Sequence, residues 1–445
     1  MKRALFVLLI LLGAAGLAQG FAAEPPMDLT VDQAIQLALA NNPAHQASQQ
    51  EVRQYRYRLM QAFGFLPEAT LSGAKILDQK LMTIEIPSFV PGGEPTKASL
   101  RFQLDYSFSF QITQPVFTGG KIFWNYKNAE IDLRLAKERE KESRADTVLN
   151  VRKAFYNIQI LQELLKAHQE ALSLAEGNYA NVKNSYDLGM ASQYDLLRAE
   201  LAMRAAKPDV LRVDNLLQTS RLGLNLMLGL SDGQEVRLQG ELGYKAVQPE
   251  LAALLQGSLQ NRSELKQLRM EKQKVDNLLK ITWAQYVPNF SLIASYSYQS
   301  DLFKLRKDNW QDYYSISLGM SWPIFTGLKR SAQVGEMHVL RRIMDLNVRQ
   351  LNDATRLEVE SQYRTVRQEY ENILMGEKNV ESAREGARIA ELSYKEGMIT
   401  ILELNSSYNE LTRAKVNYLQ ALYNYNIAIA ELEKLTGVVL NGGVA

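Results

Sequence analysis

Residue types that commonly carry catalysis or bind metals are sparse in this sequence. It has no cysteine and three histidines, His45, His168 and His338, and none of these has an acidic partner at the spacing of a metal site. We find no HExxH pair and no glycine-rich phosphate loop. The sequence therefore predicts neither an enzyme nor a bound cofactor or metal ion.

The net charge limits the kinds of partner that the chain can bind, and the first residues indicate its cellular compartment. Lysine and arginine number 51 and acidic residues 49, a net charge of +2, which argues against a nucleic-acid partner. Residues 1–22 have the layout of a signal peptide, with Lys2 and Arg3 before a short apolar run and small residues. That run is too short to favour a membrane anchor. No later stretch is apolar for about 20 residues, so an exported chain is either soluble outside the inner membrane or a β-barrel protein.

One stretch, residues 100–113, alternates between apolar and polar side chains without interruption, and a strand is predicted over 100–114. Successive side chains of a strand point to opposite faces, so it predicts a strand with one apolar and one wet face. We expect it to end at Pro115, which cannot donate to a ladder. Similar alternation predicts strands near 68–74 and at 289–299 and 313–322. The apolar set of the first stretch comprises Leu100, Phe102, Leu104, Tyr106, Phe108, Phe110 and Ile112.

Long stretches with apolar residues every three or four positions predict helices over 121–187, 193–228, 328–394 and 400–436. A helix over 121–187 would span ~100 Å, which no globular core contains, so a coiled-coil-like assembly is expected. Pro208 predicts a kink or break. Before the first strand, Thr30 is a plausible cap of a helix over 29–42, and a second helix follows over 44–62. Residues 75–99, with three prolines, are interpreted as a long exposed loop.

The sequence repeats itself at one offset. PVFTG at 115–119 reappears as PIFTG at 323–327, which is 208 positions later. The turn glycines Gly189 and Gly397, and also Gly229 and Gly437, are again 208 positions apart. This common offset predicts an internal duplication. The expected divisions are a first repeat at 24–229, a linker at 230–247, a second repeat at 248–437 and a tail at 438–445.

Four long strands per chain cannot close a barrel, and open strand edges cannot lie in lipid. If the strands enter a membrane, the chain must therefore oligomerise. Three copies would supply twelve strands, a number consistent with a membrane barrel. The expected fold is a mixed α and β membrane protein, in which the barrel continues into a long α-helical barrel. Polar strand faces would line the water-filled lumen and apolar faces would meet lipid.

The chain resembles the TolC-like outer-membrane efflux family over nearly its whole mature length. The resemblance rests on the duplication, on the strand ends QPVFTGG and WPIFTG, and on the turn motifs YDLGMASQYDLLRAE and YKEGMITILELNSSYNELTRA. It implies a homotrimer with a β-barrel in the outer membrane and a helical tunnel across the periplasm. It also implies a periplasmic adaptor (a membrane fusion protein) and an inner-membrane transporter as partners. The function implied is the passive exit duct of a tripartite efflux or type I secretion system, gated by iris-like opening of the helix tips.

The resemblance also assigns candidate residues at the tips. In that family the second tip carries two acidic residues that form rings around the pore. Counted from the turn glycine, the first falls on Glu403, whereas the second falls on Ser406 and an arginine that often follows the glycine falls on Ile399. One carboxylate ring is therefore expected at Glu403, with Asp195 in the corresponding place of the first copy, and the closed state must be held differently. The alternative for Glu403 is a solvated surface carboxylate.

The other candidates follow the repeated motifs. Tyr186 and Tyr394 are expected either to make inter-helix hydrogen bonds in the gate or to be packed helix-end aromatics. The resemblance implies that the adaptor-docking tips lie at Gly189, Met190, Gly397 and Met398. The repeated motifs predict strand ends at Pro115, Gly119, Pro323 and Gly327.

Two further alternatives stay open from the sequence. Aromatic residues on the second pair of strands form either an interfacial girdle or ordinary cross-strand pairs; they are Tyr296, Tyr298, Tyr313, Tyr314 and Trp322. A periplasmic coiled-coil adaptor or scaffold without a pore would share the long helices and the export signal. Unusually long, clean alternation in the strands favours the channel over the adaptor.

Overall fold

The computed structural model of the chain describes residues 27–440 except 79, 81, 101–103, 231–233, 235, 241 and 304–309. The predicted signal peptide at 1–22 and residues 441–445 of the predicted tail lie outside the described residues. Contacts divide the chain into two compact units, which are described separately. The first comprises Met1–Glu51, Lys137–Lys266 and Arg349–Ala445, and the second comprises Val52–Ala136 and Gln267–Val348.

Helices account for most of the described chain, and short strands alternate with them. In chain order the elements are β1 (Met27–Leu29), α1 (Val31–Asn41), α2 (Pro43–Gln61), β2 (Glu68–Lys75), β3 (Met82–Ile86), β4 (Thr96–Leu100), β5 (Tyr106–Phe117), α3 (Lys121–Asp187), α4 (Gln193–Leu228), β6 (Val236–Leu238), α5 (Leu251–Asn261), α6 (Ser263–Trp283), β7 (Asn289–Ser300), β8 (Gln311–Ser321), α7 (Lys329–Lys395) and α8 (Ile401–Thr436).

The internal duplication is visible in the four long helices. Helices α3 and α7 each contain 67 residues, and α4 and α8 each contain 36. Both shorter helices end at a glycine in the left-handed conformation, Gly229 or Gly437. An added Cβ at either glycine would meet an asparagine, Asn41 or Asn261 respectively. Pro208 lies inside α4 without interrupting it, so the predicted break does not occur.

The first unit contains a separate apolar core for each repeat. One core packs α1, β1 and β6 against the middle of α3 and the second half of α4, around the buried ring of Phe155. The other packs α5 against α7 and α8 around Tyr425, whose side chain is 0% exposed. The Tyr425 hydroxyl donates to the Lys245 carbonyl at 2.9 Å and accepts from the Val247 N–H at 3.2 Å. The segment between the repeats is thus held on the second core.

Part of the segment predicted as a linker, 230–247, is a strand. β6 pairs in parallel with β1, and the Gln239 N–H donates to the Leu29 carbonyl at 2.8 Å. β1 and β6 contain only three residues each, which is too short for an alternation pattern to predict a strand.

The second unit contains a four-stranded antiparallel sheet in the order β2-β5-β7-β8. Its register brings side chains of the same kind together across the strands. Ser72, Ser109 and Ser297 lie in one row, and Phe108 and Tyr298 face each other in a row of the opposite face. Among the described strands β2 and β8 each have a single neighbour, so one edge of each is unpaired within the chain. One chain therefore does not close a barrel.

The strand predicted over 100–114 is wrong at both ends. Leu100 belongs to β4, which pairs with β3, and β5 begins only at Tyr106 and continues to Phe117. Residues 101–103 lie outside the described residues, and the Asp105 carbonyl accepts from the Ile76 N–H at 2.8 Å. The chain therefore changes partner strands between Leu100 and Tyr106. Alternation of side chains persists through such a change and cannot reveal it.

Pro115 lies within β5 and does not end it. Pairing of β5 with β2 stops at Thr113, which lies opposite Glu68. Pro115 faces Ser291 of β7, and the register shifts between Pro115 and Phe117. Because the ladder to β2 has already ended, a proline is tolerated here, as it is at strand edges and bulges.

The loop predicted over 75–99 contains a β-hairpin. β3 and β4 pair in register from Met82–Leu100 to Ile86–Thr96. The prolines and glycines that suggested a loop belong to the turn of this hairpin, where the Gly93 N–H donates to the Val90 carbonyl at 3.0 Å. The prolines and glycines correctly indicated a turn, but they gave no sign of the two short strands, β3 and β4, that flank it.

Two equivalent glycines at the strand ends differ in their surroundings, which yields a matched test. Gly119 has φ +63, and an added Cβ would lie 2.3 Å from Val287 Cγ2 and 2.9 Å from the Ala284 carbonyl oxygen. Gly327 has φ +62 but nothing within 4 Å. We expect Gly119→Ala to destabilise the protein by about 3 kcal/mol, from backbone strain plus overpacking, and Gly327→Ala by about 1 kcal/mol, from strain alone. Denaturation midpoints of the two variants should rank in that order, and equal midpoints would contradict this packing.

Candidate functional site

The candidate site is formed by the two helix turns of the first unit, α3–α4 and α7–α8. In the first turn Gly189 has φ +77, the Met190 N–H donates to the Ser185 carbonyl at 2.8 Å, and the Gly189 N–H donates to the Tyr186 carbonyl at 2.9 Å. These two bonds define a Schellman motif, in which glycine supplies the left-handed residue after the helix. Tyr186 thus contributes its carbonyl to the turn.

The second turn repeats this geometry. Gly397 has φ +73, the Met398 N–H donates to the Ser393 carbonyl at 2.8 Å, and the Gly397 N–H donates to the Tyr394 carbonyl at 3.0 Å. An added Cβ at either Gly189 or Gly397 would meet nothing within 4 Å. Both glycines are therefore required by their backbone conformation and leave open space beside the chain.

Exposed apolar side chains lie at both turns. Met190 is 74% exposed and Met398 is 71% exposed, and Leu188 next to Gly189 is 73% exposed. Methionine is flexible and polarisable, and it recurs on surfaces that bind other proteins. Within the described residues, no neighbouring side chain buries Met190 or Met398.

The two candidate carboxylates are both helix-capping residues, a role that the sequence interpretation missed. Asp195 accepts from the Ser192 hydroxyl at 2.7 Å and from the Ser192 N–H at 3.3 Å. Glu403 accepts from the Thr400 N–H at 2.7 Å and from the Thr400 hydroxyl at 3.0 Å. Each pair is a capping box at the start of α4 or α8. Ser or Thr followed three positions later by Asp or Glu is a signal that could have been read in advance.

The cap bonds influence the charge of Glu403. The N–H and the hydroxyl of Thr400 stabilise the carboxylate and lower the pKa of Glu403 below its ordinary value. Its side chain is exposed, as is that of Ser406, one helical turn farther along α8. Glu403 therefore remains a fixed, solvent-facing negative charge at neutral and mildly acidic pH.

The equivalent residues of the two copies are not in equivalent surroundings. Tyr394 packs against a small apolar cluster of Val182, Ala199 and Ile401, whereas Tyr186 is 38% exposed and lies outside that cluster. Burial, and then the negative charge of Asp195, raise the pKa of Tyr394. Of the two tyrosines, Tyr394 is thus the one that links the first turn to the second.

A cavity of about 760 Å³ lies between the two turns. Asp195, Tyr394 and Ile399 contribute to its wall. Beside it the Asn178 side-chain amide donates to the Asn405 side-chain carbonyl at 3.2 Å, a bond from α3 to α8. Ile399, which stands where the family often has an arginine, therefore contributes apolar surface here. Packing and the hydrogen bond between the Asn178 and Asn405 amides therefore both contribute to holding the turns together.

The candidate strand ends lie in the second unit, and one residue there was missed. Arg330 is buried and donates to the carbonyls of Ile324 and Gln285, each at 2.9 Å, and to the Thr326 hydroxyl at 3.0 Å. Pro323 and Gly327 flank the segment that this guanidinium holds. The first copy has Ile122 at the position 208 residues earlier, so the repeat gave no signal for Arg330.

Among the described residues, no group of three or more histidine, cysteine or acidic side chains is placed to hold a metal ion. Across that same part of the chain, no helix has both the length and the apolar character of a membrane span.

Comparisons with known proteins connect these features to one family. The sequence matches the outer membrane efflux protein family over residues 34–230 and 254–438. Among solved structures, CusC is similar with a TM-score of 0.75 and 16% identity over 95% of both chains. The CmeC outer membrane channel of Campylobacter jejuni is similar with a TM-score of 0.75 and 15% identity over 93% of this chain and 87% of that one. VceC, an outer membrane protein of Vibrio cholerae, has a TM-score of 0.74 and 15% identity over 92% and 96% of the two chains.

Proposed function

Because the chain belongs to the outer membrane efflux protein family, we propose that three copies of it form the exit duct of a tripartite efflux or type I secretion system. Membership makes it an outer-membrane channel protein that conducts substrates passively, and not an enzyme. It also leaves no support for the alternative of a periplasmic adaptor. The observation that carries the proposal is the sheet of the second unit, which has open edges at β2 and β8.

Those edges supply the argument for an oligomer. In lipid every backbone N–H and C=O must find a partner within the protein, because hydrocarbon offers none. Pairing β8 of one copy with β2 of the next satisfies both edges at once. Three copies close a cylinder of twelve strands, an even number within the range of outer-membrane barrels.

The apolar face of the sheet fits a lipid environment. Its rows run from Phe108–Tyr298 to Phe290–Met320. They cover about 27 Å along the strands, close to the apolar band of about 25 Å in membrane barrels. Asp312, opposite Tyr298, marks one border of this band. We propose that these rows face the outer-membrane lipid.

Some aromatic residues of β7 and β8 suit an interfacial girdle, and others suit ordinary packing between neighbouring segments. Tyr296 and Tyr314 face each other on the apolar face and suit an interfacial girdle, whereas Tyr313 lies on the polar face. The Tyr298 ring stacks on Trp310 with centroids 4.8 Å apart, which favours packing between neighbouring segments. The Trp322 indole donates to the Tyr286 carbonyl at 3.1 Å and lies beyond the strand.

The turns of the first unit are the proposed periplasmic gate and docking surface. Met190 and Met398 would contact the adaptor, because they are exposed apolar side chains on glycine turns with open space around them. Glu403 would supply one carboxylate per copy to a ring at the mouth of the pore. Tyr394, with the Asn178–Asn405 bond, would hold the two turns together in the closed state. The inner-membrane transporter would join this assembly through the adaptor.

Glu403 can be tested apart from its structural role. Glutamine also forms capping boxes, so Glu403→Gln removes the charge and keeps the cap, whereas Glu403→Ala removes both. A carboxylate ring at a narrow mouth attracts cations. We expect Glu403→Gln to lower the cation preference of single channels in planar bilayers by roughly two- to fivefold, with unchanged amide exchange in the first turn of α8.

Glu403→Ala serves as the comparison and should alter both selectivity and exchange. If the Glu403→Gln channel keeps the wild-type selectivity, Glu403 is a capping residue on the surface and does not form a ring in the pore.

The tyrosine of the second turn has a matched control in the first. Removing Tyr394 deletes packing against Val182, Ala199 and Ile401, and because the side chain is only partly buried the loss is about 2 kcal/mol, below that of a fully buried aromatic. We expect Tyr394→Ala to raise single-channel conductance, because the two turns separate more easily. Tyr186→Ala should leave conductance near the wild-type value, since Tyr186 lies outside the cluster. Equal effects of the two substitutions would argue against Tyr394 as the residue that holds the gate closed.

A further inference from the structure

The polar face of the sheet is almost free of charge. In two of its rows serine hydroxyls pair across neighbouring strands: Ser295 with Ser315 at 2.8 Å, and Ser297 with Ser109 at 3.3 Å. Across the described strands this face carries Ala74, Ser107, Gln299 and Gln311, then Ser72, Ser109, Ser297 and Tyr313, then Thr70, Gln111, Ser295 and Ser315, then Glu68, Thr113, Ile293 and Ser317, and finally Pro115, Asn289, Ser291, Gly319 and Ser321.

Glu68 is the one aspartate, glutamate, histidine, lysine or arginine on that face in the described strands. It is the first residue of β2, and its Cα lies opposite that of Thr113 in the ladder. The other charged residues of the four described strands, Lys75 and Asp312, belong to the apolar face, where they lie opposite Tyr106 and Tyr298. Glu68 is therefore the only fixed charge of the sheet that would face the lumen.

We propose that Glu68 determines the charge preference of the barrel section, by forming a ring of three carboxylates that favours cationic substrates at the end of the lumen next to the helices. This inference rests on the proposed trimer. It concerns a position remote in sequence from Glu403 and assigns selectivity to the wall of the sheet as well as to the turns.

The electrostatics of the lining support this role. Hydroxyls and amides carry no net charge, so nothing else on the described polar face offsets or competes with the Glu68 field. At 0.1 M ionic strength the Debye length is about 10 Å, and at 1 M it is about 3 Å. A ring at Glu68 therefore acts on solutes that pass along the wall in dilute salt and is screened in concentrated salt.

The absence of cysteine from the sequence allows a direct measurement of this field. Thr113→Cys places one thiol opposite Glu68, where it can react with methanethiosulfonate reagents that carry either a trimethylammonium or a sulfonate group. The reagents are added from outside to intact cells, so they reach the barrel without crossing the helical turns. The ratio of the two reaction rates reports the local potential.

We expect the cationic reagent to be favoured in Thr113→Cys, and the ratio to fall about three- to tenfold when Glu68→Gln is added at 0.1 M salt. In 1 M salt the difference should largely disappear. Asp312→Asn is the control, because it removes a carboxylate from the opposite face and should leave the ratio unchanged.

The possible failures are distinguishable. A thiol that reacts with both reagents at a ratio independent of Glu68 overturns the inference and leaves the channel in place. A thiol that reacts with neither reagent means that this face is not lined by water, and the proposed function then fails together with the inference.

Discussion

The unpaired backbone edges of β2 and β8 constrain the rest of this chain. A four-stranded sheet with one apolar face can lie in lipid only when both edges are paired, since each unsatisfied N–H or C=O in hydrocarbon costs several kcal/mol. The long helices cannot relieve that cost, because they satisfy their own backbone groups. Closure by further copies of the chain is the solution that uses the same two edges in every copy. The oligomer, the lumen and the lipid face follow from this requirement, and three copies supply the twelve strands of the proposed barrel.

Duplication gives the chain two copies of each part, and the copies have diverged where the channel is expected to act. Both turns keep the Schellman motif and the capping box, so their backbone geometry is the same. Tyr394 is packed whereas Tyr186 is exposed, and Glu403 is exposed whereas Asp195 is half-buried beside Tyr394. The second turn thus supplies the packed Tyr394 and the exposed charge of Glu403. The helices of the first turn supply Val182 and Ala199, against which Tyr394 packs.

The long helices could be predicted from the sequence because their apolar periodicity extends over dozens of residues. Changes of partner strand within a few residues could not be predicted. Apolar spacing over dozens of residues indicated α3 and α4 because each position adds to the same stripe. The change of strand between Leu100 and Tyr106 left no trace, since alternation is the same in both strands. The capping role of Glu403 was readable from Thr400 three positions before it. By contrast, the surroundings of Gly119 depend on Ala284 and Val287, more than a hundred positions away. The hydrogen bonds of Arg330 include one to Gln285, 45 positions away.

In the proposed channel, one chain supplies a third of a closed barrel. Native mass spectrometry of the protein extracted from membranes in mild detergent tests it most directly. If three copies close the channel, the dominant species has the mass of three mature chains and persists at concentrations where chance association is negligible. A dominant single chain under the same conditions would leave the edges of β2 and β8 open and would rule out closure by three copies.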